Sequence, residues 1–122
     1  LGAESSEGAK LIRQIAEAST RNGRVQGGMT MLGSYDEYIN MAKLEGLTYF
    51  DMPKEVYEVL KQAPGDLVWE VNRQFLDESI AAGHSFVVTL GEGKEFGKYL
   101  QREIEYLIQN GYKLVDGVFI KP

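Results

Sequence analysis

Ser85-Phe86-Val87-Val88-Thr89-Leu90 is the stretch whose reading decides the fold. Its core is an apolar, β-branched run without polar alternation, closed by Gly91-Glu92-Gly93, and this is the pattern of a strand buried on both faces. Such a strand belongs in the middle of a sheet. Helical periodicity flanks it on both sides, over Trp69 to Ala82 and over Phe96 to Asn110. A buried strand between two helices implies crossover connections and parallel neighbours.

Toward the N-terminus, Pro53 opens a helix whose apolar side is Val56, Tyr57 and Leu60, and Ala63-Pro64-Gly65 breaks it. Leu47 to Phe50 reads as a strand, stopped by Asp51-Met52-Pro53. Asp36 to Leu44 reads as a helix with Gly46 just beyond its end, and Met29 to Leu32 as a buried strand ending at Gly33-Ser34. Arg21 to Gly28, with Asn22-Gly23 and Gly27-Gly28, reads as a flexible connection to a first helix within residues 1–20 that Ser5 or Ser6 caps. Toward the C-terminus, Tyr112 to Val115 and Val118 to Ile120 are strands joined at Asp116-Gly117, a strong hairpin signal. The fold class expected is α/β: a small three-layer domain, with a mainly parallel sheet, helices on both faces and a C-terminal antiparallel hairpin. Residues 1–28 are expected to form an N-terminal helix and linker, and residues 29–122 the α/β domain proper.

Composition removes several classes of chemistry. The 122 residues include no cysteine and one histidine, His84, so disulfides, thiolate nucleophiles and histidine-rich metal sites are excluded, and no metal or cofactor is expected. No apolar stretch reaches the ~20 residues of a membrane span. The net charge of −5 is unlike that of a general nucleic-acid binder, although it leaves room for a local basic patch. The chain begins at Leu1 without an initiator Met, which suggests a piece of a longer polypeptide.

In an open parallel sheet, ligands sit beyond the carboxyl ends of the strands. Ser34 and Tyr35 follow the first strand there, and Thr89 ends the central one, either as an ordinary strand residue or with its hydroxyl binding a phosphate or positioning a nucleophile. Gly91-Glu92-Gly93 is only a fragment of a phosphate loop, lacking the full pattern, and reads as a strand-to-helix turn. Each flanking helix carries one polar residue on its apolar stripe: Asn72 between Trp69 and Leu76, and Glu103 between Leu100 and Leu107. Asn72 either ties its helix to a neighbouring loop or belongs to a site. Glu103 either forms a structural ion pair or, lacking one, has its pKa raised into the acid–base range. Lys94, Lys98 and Arg102 recur every four residues, either as a solvated face or as a phosphate track with Tyr99 and Tyr106 alongside. His84, at the amino end of the central strand, reads as a capping or solvent-facing residue.

From Met29 to Pro122, about three quarters of the chain, the sequence resembles C-terminal effector modules of bacterial polymorphic toxins, of the contact-dependent inhibition, Rhs and LXG types. The resemblance is carried by the order and spacing of several segments. These are Met31-Leu32-Gly33-Ser34, Tyr49-Phe50-Asp51-Met52-Pro53, Trp69-Glu70-Val71-Asn72-Arg73-Gln74-Phe75-Leu76-Asp77, the strand ending in Thr89, Arg102-Glu103-Ile104-Glu105-Tyr106-Leu107 with Gly111-Tyr112, and Lys121-Pro122. It implies a toxin, secreted as part of a larger parent and acting in the target-cell cytoplasm, with a cognate immunity protein as partner. The activity expected is a ribonuclease acting on tRNA or other RNA, with Asn72, Thr89 and Glu103 at the reacting group and Ser34, Tyr35, Lys94, Lys98 and Arg102 binding substrate. Hydrolysis of NAD or a related nucleotide is the enzymatic alternative, in which Glu103 would stabilise a ribosyl cation. A non-enzymatic binding module, in which the polar intruders are structural, is the third.

Overall fold

The computed structural model describes residues 6–33, 46–89 and 98–121. In chain order the elements are α1 (Ser6–Ala18), β1 (Thr20–Arg21), β2 (Met29–Gly33), β3 (Tyr49–Phe50), α2 (Lys54–Gln62), α3 (Leu67–Ala81), β4 (Ser85–Thr89), α4 (Lys98–Gln109), β5 (Lys113–Val115) and β6 (Val118–Ile120). The helix expected over Asp36 to Leu44 lies outside the described residues.

The four-stranded sheet has the order β2-β4-β6-β5. The central strand β4 pairs in parallel with β2 from Met29↔Ser85 to Gly33↔Thr89, and in antiparallel with β6 through Phe86↔Phe119 and Val87↔Val118. The sheet is therefore mixed, with one parallel pair, rather than mainly parallel. The crossover from β4 through α4 does place β5 parallel to β4, but β6 folds back between them. Burial accounts for the order: Phe119 on β6 is buried, whereas Lys113, Leu114 and Val115 are all exposed, so the hairpin strand with more apolar surface to cover takes the inner place. The hairpin itself forms as expected, with φ of 50° at Asp116 and 82° at Gly117, the left-handed pair that a two-residue turn of type I′ requires.

The segment from Arg21 to Gly28 is a second correction. It is pinned rather than loose: β1 pairs with β3 through Thr20↔Phe50 and Arg21↔Tyr49, and Gly27 N–H donates to Ala82 O at 2.7 Å. The strand expected over Leu47 to Phe50 is shorter than expected, and Thr48 bridges to Thr30, which ties β3 to the free edge of β2.

α3 is apolar on more than one side. Trp69, Phe75 and Leu76 face the sheet and α4, in a core with Leu32, Phe86, Leu100, Leu107, Tyr112 and Phe119. Val68 and Val71 face the other way, onto Ile12 and Ala16 of α1 and Leu60 of α2. A helix buried on two sides needs no polar stripe, and α3 is the axle on which the two cores turn. On the opposite face of the sheet, Met31 and Tyr49 are buried with Leu47 and Val87 against them.

Candidate active site

α3 ends at Ala81, just before β4 begins, and α4 ends at Gln109, just before the parallel strand β5. Both helices therefore run back across the sheet from the carboxyl ends of the parallel strands toward their amino ends. Their contacts ladder in the same order: Asp66 with Arg102, Asn72 with Glu103, Asp77 with Tyr106. Counted from Leu67 and Lys98, Asn72 and Glu103 are each the sixth residue of their helix. Asn72 thus lies in the first half of α3 and Glu103 at the middle of α4.

Glu103 is buried, with 8% of its surface exposed, and its carboxyl accepts a hydrogen bond from the Asn72 side chain. No cationic side chain among the described residues pairs with it. Burial therefore dominates and pushes its pKa up to about 8, with the Asn72 hydrogen bond pulling weakly the other way. Near pH 7 this is a neutral carboxylic acid with a proton to give. Asn72 is as deeply placed, between Trp69, Phe75 and Leu76, and its Oδ1 accepts no hydrogen bond from another described residue.

Next to the pair, Arg102 is already engaged. Its guanidinium donates to Asp66 Oδ2 at 2.6 Å and lies 4.3 Å from the centroid of the Trp69 ring. Tyr106 stands edge-on to Trp69, and its hydroxyl donates to Asp77; burial first, and then that carboxylate, push the phenol up to about 12. Burial likewise raises the Tyr99 phenol, with Tyr57 and Asp66 adding to the shift.

Thr89 is the last residue of β4 and lies opposite Gly33 at the end of the parallel pair. Lys98 begins α4. Ser34, Tyr35, Lys94 and the Gly91-Glu92-Gly93 turn lie outside the described residues. Among the described residues no cluster of three or more acidic or histidine side chains is placed to hold a metal ion, and no helix is long and apolar enough to cross a membrane.

A second polar centre occupies the amino end of the same strands. His84 is 2% exposed and so is not the solvent-facing residue its position suggests. Its Nδ1 lies 2.9 Å from Thr30 Oγ1 and its Nε2 2.8 Å from Val25 O. Thr30 continues to Ser79 at 3.0 Å, and Arg24 reaches both Ser79 Oγ and Phe75 O at 2.8 Å. In the sequence, only the polar Thr30 within an apolar strand hints at this group.

The fold and the buried carboxyl together define the class: a small α/β domain with a mixed sheet and a buried acid between α3 and α4. Compared with protein-family models, curated proteins and solved structures, the chain matches none.

Proposed function

We propose that this domain is an antibacterial toxin effector that cleaves RNA, with Glu103 as its general acid. The observation that carries the reading is the Glu103 carboxyl, held by Asn72 and pushed to a pKa of about 8. An acid of that strength keeps its proton at neutral pH and gives it up readily to an oxyanion, which is what departure of the 5′ oxygen from a phosphodiester requires. In that step the 2′ oxygen of the RNA bonds to phosphorus as the bond to the 5′ oxygen breaks; the 2′-hydroxyl proton passes to solvent water and the Glu103 proton to the leaving oxygen. Asn72 orients the carboxyl, Thr89 ends β4, and Lys98 and Arg102, both on α4, are the proposed phosphate partners, with Ser34, Tyr35 and Lys94 as the remaining proposed substrate contacts. The resemblance to polymorphic-toxin modules supports the biological setting: a larger secreted parent, action in the target-cell cytoplasm, and a cognate immunity protein.

One observation favours hydrolysis of NAD or a related nucleotide instead. Arg102 is committed to Asp66 and Trp69, which shortens any basic track for a polynucleotide. Induced expression in cells, followed by RNA gels and NAD measurement, separates the readings. Cleaved RNA with intact NAD supports the ribonuclease; depleted NAD with intact RNA supports the alternative; neither change overturns both. Glu103→Gln, which replaces one neutral hydrogen-bonding group by another, is expected to abolish toxicity while the melting temperature at pH 7 stays close to that of the parent. An active Glu103→Gln variant removes Glu103 from the chemistry.

A further inference from the structure

We propose that the chain of hydrogen bonds from Arg24 through Ser79 and Thr30 to His84 is an acid-sensitive latch: it holds residues 24–28 against the amino end of the central strands, and it releases them when His84 takes up a proton. The case rests on proton counting. Val25 O is a carbonyl and only accepts, so His84 Nε2 carries a proton. In the neutral imidazole Nδ1 is then an acceptor, and Thr30 must give it its only hydroxyl proton across 2.9 Å. Thr30 Oγ1 lies 3.0 Å from Ser79 Oγ; with its own proton given to Nδ1 it must accept there from Ser79, whose Oγ accepts from Arg24 Nε at 2.8 Å. Every proton in the chain points the same way, from the guanidinium to the Val25 carbonyl.

A second proton on the imidazole reverses this order. Nδ1 becomes a donor, so Thr30 and Ser79 must both turn their hydroxyls, and a buried imidazolium then faces the partly buried Arg24 guanidinium through two hydroxyl groups. The groups around His84 do little to offset this. From the 24–28 segment comes Arg24, a like charge; from α3 comes Glu78, whose Oε2 is ion-paired with Arg24 at 3.5 Å. Tyr112, which precedes β5, spends its hydroxyl on the His84 carbonyl at 2.8 Å. β2 contributes only Thr30. Burial, and then the Arg24 charge, lower the pKa of His84 against the pull of its bond to Val25 O, in keeping with this geometry.

The part that yields is the 24–28 segment, because its attachments are few and converge on this point. They are the His84 bond to Val25 O, Gly27 N–H to Ala82 O at 2.7 Å, Ser85 N–H to Gly28 O at 3.1 Å, and the Arg24 contacts with α3. Gly28 seals the imidazole so closely that an added Cβ would lie 3.3 Å from Nε2 and 3.0 Å from Val25 O.

The single histidine makes the test direct. The imidazole resonances of the full chain are followed by NMR from pH 8 to pH 5, together with hydrogen exchange at the Gly27, Gly28 and Ser85 amides, corrected for intrinsic rates. His84 is expected to titrate below the ordinary imidazole range. Protection at those amides is expected to fall by up to about thirtyfold, the ratio set by an opened-state imidazole of ordinary pKa near 6.5, while Val87 and Val88 in β4 stay protected. In His84→Gln the pH dependence is expected to disappear. An ordinary titration with unchanged exchange overturns the latch, as does loss of protection spread evenly over the strap and β4. If His84→Gln does not fold, the contrast between strap and strand amides in the parent protein decides alone.

Discussion

Glu103 ties the proposed chemistry to stability. Its folded-state pKa of about 8 lies above the ordinary 4.5, so the folded protein keeps a proton that the unfolded chain releases between those values. The stability this gives is complete below about pH 4.5 and is lost as the pH rises through about 8. Between pH 6 and pH 9 the unfolding free energy is expected to fall by about 3 kcal/mol, read as the urea midpoint. Glu103→Gln should flatten that decline, and a parent protein with no alkaline decline would show that the carboxyl is not held neutral. His84 acts in the opposite sense: its lowered pKa gives stability that is present above about pH 6.5 and lost as the pH falls. Asn72 and Glu103 were legible as breaks in apolar stripes, because helical spacing alone places them inward. Their meeting was not legible, since it depends on how α3 and α4 lie against each other. Arg24 and Ser79 gave no signal at all; they are 55 positions apart, and nothing local marks either as a partner.

Among the elements, the C-terminal hairpin depends most on local chemistry. A Cβ added at Gly117 would meet nothing within 4 Å, so only backbone strain opposes a side chain at its φ of 82°. Gly117→Ala is therefore expected to destabilise by about 1–2 kcal/mol, seen as a lower melting temperature and faster amide exchange in β6. An unchanged melting temperature would mean that the turn can relax to another type. Local signals of this kind also marked Pro53 before α2 and the break at Ala63-Pro64-Gly65. The two-residue strand β1 was not visible, because a strand that short has no periodicity to read, and only its pairing with β3 defines it.

Across the whole molecule, the N-terminal segment shares its core with the rest. Ala16 is fully buried, with Ile12, against Val68 and Val71 of α3. Ala16→Leu forces extra volume into that contact and is expected to cost about 1–3 kcal/mol in denaturant titration, with a single transition followed by all probes. A neutral substitution, or a separate early transition for α1, would show that the helix is only loosely attached. The same core explains the attachment of the 24–28 segment, since α1 leads directly into β1 and the strap.

The sequence by itself determined the kind and place of most elements, the hairpin turn, and the two polar residues that interrupt apolar helical stripes. Each of these depends on contacts within a few positions along the chain, where periodicity and backbone preference carry the information. Tertiary structure alone decided that β6 lies between β4 and β5, that residues 20–28 are bound to the core, that Asn72 meets Glu103, and that a buried relay joins Arg24 to His84. These outcomes follow from competition for burial and for hydrogen-bond partners among residues distant in sequence, and such competition is resolved only when all the surfaces are brought together.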